Sequence, residues 1–336
     1  MTASVLVTGG AGYIGSHTAK ALAENGWRPV VFDNLSSGHR QAVRWGEFIH
    51  GDIRDGRALR DAMSANRIEG VIHFAGLIEV GRSMVRPDLF HDHNVGGVAS
   101  LLAATKDCQV SRLVFSSSAA VYGDGAPGLA PIPEDAPKAP VSVYGETKLI
   151  GEWMIAAHCR AFGLAAVALR YFNAAGADPS GLIGEAHDPE THLIPLAINA
   201  GLGRGKPLTV FGQDFPTPDG SCLRDYVHVT DLASAHVAAL TATTEPGRFE
   251  ALNVGTGQGL SVLEVIGAVD RTIGVPTPHA IGDRRAGDPP SLVADTRAIR
   301  QRLGWTPEHS SADHIVRTAV SWARNPKFGP GLAPTP

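Results

Sequence analysis

Short apolar runs alternate with longer amphipathic segments through the first half of the chain. The runs are Ser4–Thr8, Pro29–Phe32, Glu47–His50, Gly70–Phe74, Arg112–Phe115 and Ala165–Leu169. Segments of helical length, such as Gly15–Asn25, Asp55–Asn66 and Asn94–Lys106, lie between them. Strands that are apolar throughout need cover on both faces, and intervening helices supply it. The pattern therefore predicts an α/β fold built on a doubly wound parallel sheet. After residue 174 the rhythm loosens into Pro- and Gly-rich stretches, among them Ala177–Gly181, Gly201–Pro207 and Phe215–Gly220. These predict a smaller, mixed α/β C-terminal lobe, and Asn253–Gly257 reads as one further strand end where the chain returns to the sheet. The expected division is 1–173 plus about 225–257 for the sheet domain, and 174–224 plus about 258–336 for the lobe. The ending Gly329–Pro336 is expected to fray.

Composition narrows the classes of function. A length of 336 residues leaves room for two compact units. The 29 Lys and Arg against 33 Asp and Glu, spread without runs, exclude a nucleic-acid stripe and a polybasic membrane patch. Hydrophobic residues at 43% and charged residues at 18% exclude a disordered chain. Cys108, Cys159 and Cys222 are too few and too scattered for a disulfide framework, which fits a reducing compartment. The N-terminus enters a strand at once, without a basic or long apolar leader, so a cytoplasmic location is expected.

The first run is followed directly by Gly9-Gly10-Ala11-Gly12-Tyr13-Ile14-Gly15. Glycines at 9 or 10, 12 and 15 allow a tight turn, a backbone without Cβ beside a pyrophosphate and a close helix–strand approach, with phosphates at the helix N-terminus. Asp33 ends the second run, where a carboxylate accepts hydrogen bonds from an adenosine ribose. The pattern reads as a Rossmann dinucleotide site, against the plainer alternative of a merely structural turn. The carboxylate repels a 2′-phosphate and Asn34 follows rather than Arg, so NAD is expected, with Arg40 the one residue that would favour NADP. Asp52 and Ile53 after the third run could flank the adenine, and Phe74, Ala75 and Gly76 after the fourth could floor the groove. The plainer alternatives are a helix cap at Asp52 and an ordinary turn at Ala75–Gly76.

Tyr144 and Lys148 stand four apart, hence on one face of a helix, and Ser116, Ser117 and Ser118 end the fifth run at the same sheet edge. One of these serines could hold a substrate oxygen while the phenol exchanges its proton, the others satisfying their own backbone. Lowering a phenol from near 10 to neutrality takes ~4 kcal/mol. An ammonium about 5 Å away supplies ~3 kcal/mol at an effective dielectric of about 20, and an oxidised nicotinamide can supply the rest.

The ordered set Thr8–Gly15, Asp33–Leu35, Gly51–Ile53, His73–Gly76, Ser116–Ser118, Tyr144–Lys148 and Arg170–Asn173 resembles the extended short-chain dehydrogenase/reductases. Within them it is similar to the UDP-glucose 4-epimerases of the bacterial exopolysaccharide type, as are Leu223–Val229, Asn253–Gly257 and Arg284–Asp288. The resemblance implies that Ser118 and Tyr144 flank the hexose C4 hydroxyl and that Lys148 holds the nicotinamide ribose. It implies NAD-dependent inversion at C4 through a transient 4-keto sugar, with NAD retained between turnovers. The cofactor contacts it implies extend to Tyr13, Ile14, Asn94 and Phe172, although Asn94 could equally cap a helix. Contacts to the UDP-sugar carry over to Asn173, His192, Leu193, Phe211, Arg224, Tyr226, Arg285, Asp288 and Leu292. Arg224 and Arg285 suit a diphosphate, against a plainer reading as surface ion pairs. A homodimer, paired through Asn94–Lys106 and the Tyr144 helix, is also implied.

Departures from the family pattern leave the substrate open. Ile78 stands where many members carry Lys near the nicotinamide, removing a positive charge. The segments Ile78–Ser83 and His187–His192 resemble pentose-nucleotide relatives, and Leu292 has an intermediate size where members accepting N-acetylhexosamines are small. A 4,6-dehydratase would carry an acidic residue after the catalytic serine, but Ala119 and Ala120 follow here. A non-catalytic NAD sensor would lack the Tyr or Lys. His91, His93, His187 and His192 show no further ligand at standard spacing, so no metal is expected.

Overall fold

The computed structural model describes residues 2–125, 129–285 and 287–332. The last four residues of the ending expected to fray lie outside these. The chain runs through β1 (Ser4–Thr8), α1 (Tyr13–Glu24), β2 (Arg28–Asp33), β3 (Glu47–His50), α2 (Gly56–Asn66), β4 (Ile68–His73), α3 (Val80–Val85) and α4 (Pro87–Phe90). A π-helical stretch, His91–Gly96, then leads into α5 (Gly97–Asp107), β5 (Arg112–Ser118), α6 (Val143–Phe162) and β6 (Ala165–Tyr171). The second half holds β7 (Asn173–Ala175), α7 (Leu193–Gly201), β8 (Leu208–Phe211), β9 (Leu223–Arg224), β10 (Tyr226–His228), α8 (Val229–Ala242) and β11 (Phe249–Val254). It closes with β12 (Leu260–Ser261), α9 (Val262–Ile273), β13 (His279–Gly282), β14 (Ser291–Leu292), α10 (Arg297–Leu303) and α11 (Ala312–Arg324).

Seven parallel strands form the main sheet in the order β11-β6-β5-β4-β1-β2-β3. Successive side chains of a strand face opposite ways, so each face needs its own core. Leu6, Phe32, Leu113 and Phe115 pack under α2, α5 and α6 through Leu59, Leu101 and Ile155. Val5, Val7, Ile72, Val114 and Leu169 pack under α1 and α8 through Leu22, Leu232 and Leu240. Each such side chain taken fully out of water contributes about 1.5–3 kcal/mol. The strand order reverses beside β1, which opens a crevice at the carboxyl edge where the β1 and β4 loops diverge.

The lobe has its own core, in which Ile194 and Ile198 of α7, Val265 and Val269 of α9 and Ile315 and Val320 of α11 meet Val210 of β8. Ile299 and Trp305, inside the stretch expected to belong to the lobe, pack instead with Leu232 and Leu240 on the sheet. β5 ends at Ser118 with the three serines, and β6 runs past its expected end at Leu169 to Tyr171 because it keeps pairing with β5, Ser118 opposite Tyr171. Asn94 does not cap a helix: it lies inside the continuous helical path from α4 to α5. Among the described residues no helix is long and apolar enough to cross a membrane.

Candidate active site

The turn after β1 is shaped by close approach. A Cβ on Gly9, whose φ is +72°, would stand 2.6 Å from the Ala75 nitrogen, and one on Gly15 would collide with the Gly9 carbonyl. A Cβ on Gly12 would meet only the Gly9 oxygen, at 3.3 Å, so that face of the turn stays open. Gly12 begins α1 without a capping side chain, which leaves the Tyr13 and Ile14 amides for an anion. Asp33 accepts the Ala11 amide at 3.0 Å and the Leu35 amide at 2.8 Å. Burial pushes its carboxyl up, against those two amides.

Asn34 donates to Asp52 at 3.0 Å, so the ends of β2 and β3 join beside the crevice. Arg54, bonded to Asp52 at 2.7 Å, holds that carboxyl well below the usual range. Asp52 is not the helix cap, since Asp55 caps α2 by accepting the Arg57 and Ala58 amides. Ile53 is buried against α5. Arg40, the residue that kept NADP open, has its guanidinium 4.7 Å from the Phe48 ring centroid. On the opposite wall Asn94 accepts the Leu77 amide at 2.8 Å and donates to the Leu77 carbonyl and to Thr147 Oγ1, both at 3.0 Å. It therefore fixes the loop after Phe74–Gly76 to α6, and Ile78 in that loop is exposed.

Tertiary partners sort the three serines. Ser116 Oγ meets the Tyr171 hydroxyl, and Ser117 Oγ donates to Glu152 at 2.6 Å. Ser118 Oγ accepts the Ala120 amide at 3.1 Å and faces the Tyr144 phenol. Ser142 caps α6 by accepting the Gly145 amide, and the Tyr144 amide donates to Ser83 of α3 at 3.1 Å. Lys148 donates to the Ser116 carbonyl at 2.8 Å, with its ammonium 5.7 Å from the Tyr144 ring centroid. Burial pushes the Tyr144 phenol up to about 12, against the opposing pull of Ser118, and pushes Lys148 down to about 8.

Residues expected to hold the nucleotide gather in the lobe. Arg224 donates to Asp288 at 3.0 Å and to the Pro289 carbonyl at 3.1 Å, and β14 pairs Leu292 with Arg224. The Arg285 guanidinium lies 4.0 Å from the Phe211 ring centroid. Tyr226 is buried in β10, whose pairing with β7 sets it opposite Asn173. Phe172 and Leu292 pack against the cluster of Ala119 and Leu149, next to the serine turn. His192 and Leu193 open α7. The His192 ring faces Glu185 at 2.6 Å.

Residues 5–255 match the family described as NAD dependent epimerase/dehydratase family. The chain belongs to that family. A UDP-glucose 4-epimerase of Rhizobium leguminosarum bv. trifolii is 48% identical over 319 residues, 95% of this chain and 97% of the relative. Among solved structures, a UDP-glucose 4-epimerase of Brucella ovis in complex with NAD is 50% identical, with a TM-score of 0.92 over 95% of this chain and 98% of its own. One of Bifidobacterium longum, in complex with NAD+ and UDP, is 37% identical, with a TM-score of 0.89 over 96% and 99%.

The open Gly12 face, the uncapped start of α1 and the Asp33 carboxylate fit the NAD that this epimerase/dehydratase family uses. Sequence reasoning assigned no role to Ser83, Thr147, Arg170 or Glu152, although the first three lie within the quoted motifs Ile78–Ser83, Tyr144–Lys148 and Arg170–Asn173. Their types are common and their partners, such as Asn94 for Thr147 and Ser117 for Glu152, are distant in sequence, so no local signal gives their contacts. It also discounted His187 and His192 for want of further donors. The fold-back of one loop brings Glu185 and Glu190 to them.

Proposed function

We propose that this chain is an NAD-dependent isomerase that inverts C4 of UDP-hexoses, interconverting UDP-glucose and UDP-galactose. The observation that carries it is the arrangement of Ser118, Tyr144 and Lys148 at the sheet edge above the glycine turn. Ser118 Oγ holds the sugar O4, and Tyr144 takes its proton as C4 is oxidised. Bound in that groove, NAD would supply reversible two-electron acceptor chemistry and a positive charge to the site. The Lys148 ammonium adds to whatever opposes the desolvation that holds the phenol protonated. Tyr144 returns the proton after the 4-keto sugar has presented its other face, and the configuration at C4 is inverted. Arg224 and Arg285 hold the diphosphate, Asp288 a ribose hydroxyl and Phe211 the base, while Leu292 and Tyr226 bound the sugar and nucleotide pockets.

Ala119 and Ala120 follow Ser118 in a short 3-10 turn, which leaves no carboxyl group there to drive elimination and argues against a dehydratase. The two proposed units are the sheet domain for NAD and the lobe for the UDP-sugar. A homodimer through α5 and α6 is part of the proposal, supported by Trp153 and Phe162 of α6, which are 63% and 53% exposed. So is a cytoplasmic location, supported by three free cysteines.

The test is incubation of the purified protein, without added NAD, with UDP-glucose, UDP-galactose, UDP-N-acetylglucosamine and UDP-xylose in turn, followed by proton NMR. Interconversion of UDP-glucose and UDP-galactose supports the proposal. Turnover confined to the pentose or N-acetylated pair, or accumulation of a 4-keto-6-deoxy sugar, overturns it.

A further inference from the structure

Outside the catalytic groups, one eight-residue loop folds four donor side chains onto a single point. Ligand atoms of Glu185, His187, Glu190 and His192 all lie within 4.8 Å of one another. Both imidazoles present Nδ1. His187 Nδ1 is 3.1 Å from Glu185 Oε1 and 3.9 Å from Glu190 Oε2, and His192 Nδ1 is 2.6 Å from Glu185 Oε1 and 3.4 Å from Glu190 Oε1. Four ligands about 2.0–2.2 Å from a zinc ion sit about 3.3–3.6 Å apart in a tetrahedron. The 3.1 and 3.4 Å separations stand within about 0.2 Å of that range, the 3.9 Å one reaches the second Glu190 oxygen, and the 2.6 Å one opens by under about 1 Å. The mover would be His192, whose side chain is 46% exposed, while Glu185 is 7% exposed and fixed.

We propose that Glu185, His187, Glu190 and His192 form a structural site for a divalent transition metal of the zinc class. Two carboxylates and two neutral imidazoles carry two negative charges, which one dication cancels where protons must otherwise do so. The nitrogen and oxygen donors favour Zn2+ over Mg2+ or Ca2+, which take oxygen ligands. The site stands at a junction. The His187 ring is edge-on to Tyr13 at 6.1 Å, the Tyr13 hydroxyl donates to the Gly176 carbonyl, and Trp322 of α11 donates to the Glu185 carbonyl at 2.7 Å. An ion there fastens the 185–192 loop between the glycine turn and α11 and fixes the start of α7 at His192. It is structural because all four coordination positions are filled by the protein.

The experiment uses the full-length protein with its bound cofactor, stripped with a chelator and returned to Zn2+ alone. Metal content, thermal midpoint and, after Co2+ substitution, the visible absorption of a tetrahedral ion are read for wild type, Glu190→Gln and His187→Asn. The expected result is about one equivalent of Zn2+, a midpoint raised by several degrees, intense tetrahedral Co2+ bands, and loss of all three in both variants. Circular dichroism and NAD content report whether the variants fold. Zinc below a tenth of an equivalent, or equal zinc in wild type and variants, overturns the proposal. If the variants misfold, the Co2+ spectrum of wild type alone decides, and a weak octahedral spectrum overturns it.

Discussion

Lys148 stands one helical turn beyond Tyr144, its ammonium 5.7 Å from the Tyr144 ring centroid and anchored at 2.8 Å to the Ser116 carbonyl. The spacing places the two groups on one helix face, but in the protein alone the ammonium does not bring the phenol down. Burial of both groups wins, leaving the phenol near 12 and the lysine near 8.

Tyr144→Phe removes the proton carrier and leaves the ring packing. Turnover should fall by about 10²–10⁴-fold, with NAD content and thermal midpoint within error of wild type. Steady-state kinetics and the absorbance of released NAD check this; a variant that keeps full rate contradicts the role.

Asn94→Ala cuts both bonds to Leu77 and the bond to Thr147, so the loop after Phe74–Gly76, the proposed floor of the cofactor groove, loses its tie to α6. Two or three buried bonds at about 1 kcal/mol each predict NAD retention weakened by about 30–150-fold. Dialysis followed by measurement of residual NAD reads this directly. Retention equal to wild type would show that the floor stands without the clamp.

Glu152 and Arg170 form a buried bidentate pair, at 2.9 and 2.6 Å, that also receives Ser117 and reaches Tyr122. Removing one partner leaves an uncompensated buried charge. Arg170→Met should lower stability by about 3–5 kcal/mol, and Glu152→Met added to it should restore much of the loss. Urea denaturation checks both; a double variant no better than the single one contradicts the pairing argument.

His73 and His236 are pushed down by burial to about 3 and about 4, and so stay neutral in the folded protein. The unfolded chain takes up protons near 6.5 and the folded one does not, so stability is intact above pH 6.5 and falls as pH drops from there toward 4. The two together should cost about 4 kcal/mol between pH 7 and pH 5. His236→Phe should remove about half of that slope. Urea midpoints at pH 7, 6 and 5 decide it, and parallel slopes for wild type and variant contradict it.

The glycine turn, Asp33 and the Tyr144–Lys148 pair were legible because their geometry is local: a tight turn, a strand end, one helical turn. Strand alternation also placed Ser116–Ser118 at the right edge. It could not say which serine faces the phenol, because that depends on Glu152 and Tyr171, which are distant in sequence. Asn94 read as a cap because helices begin at such residues, whereas a π-helical stretch carries the helix through it. His187 and His192 were set aside on spacing rules that count histidines and cysteines. Their partners are carboxylates brought round by a loop.

The most direct test of the central account follows one atom. UDP-glucose carrying deuterium at C4 is incubated with the protein in ordinary water and both sugars are recovered. The account predicts UDP-galactose with deuterium still at C4, because that atom leaves and returns within one closed site. Deuterium washed out into water would mean that C4 is inverted by proton exchange, and would contradict it.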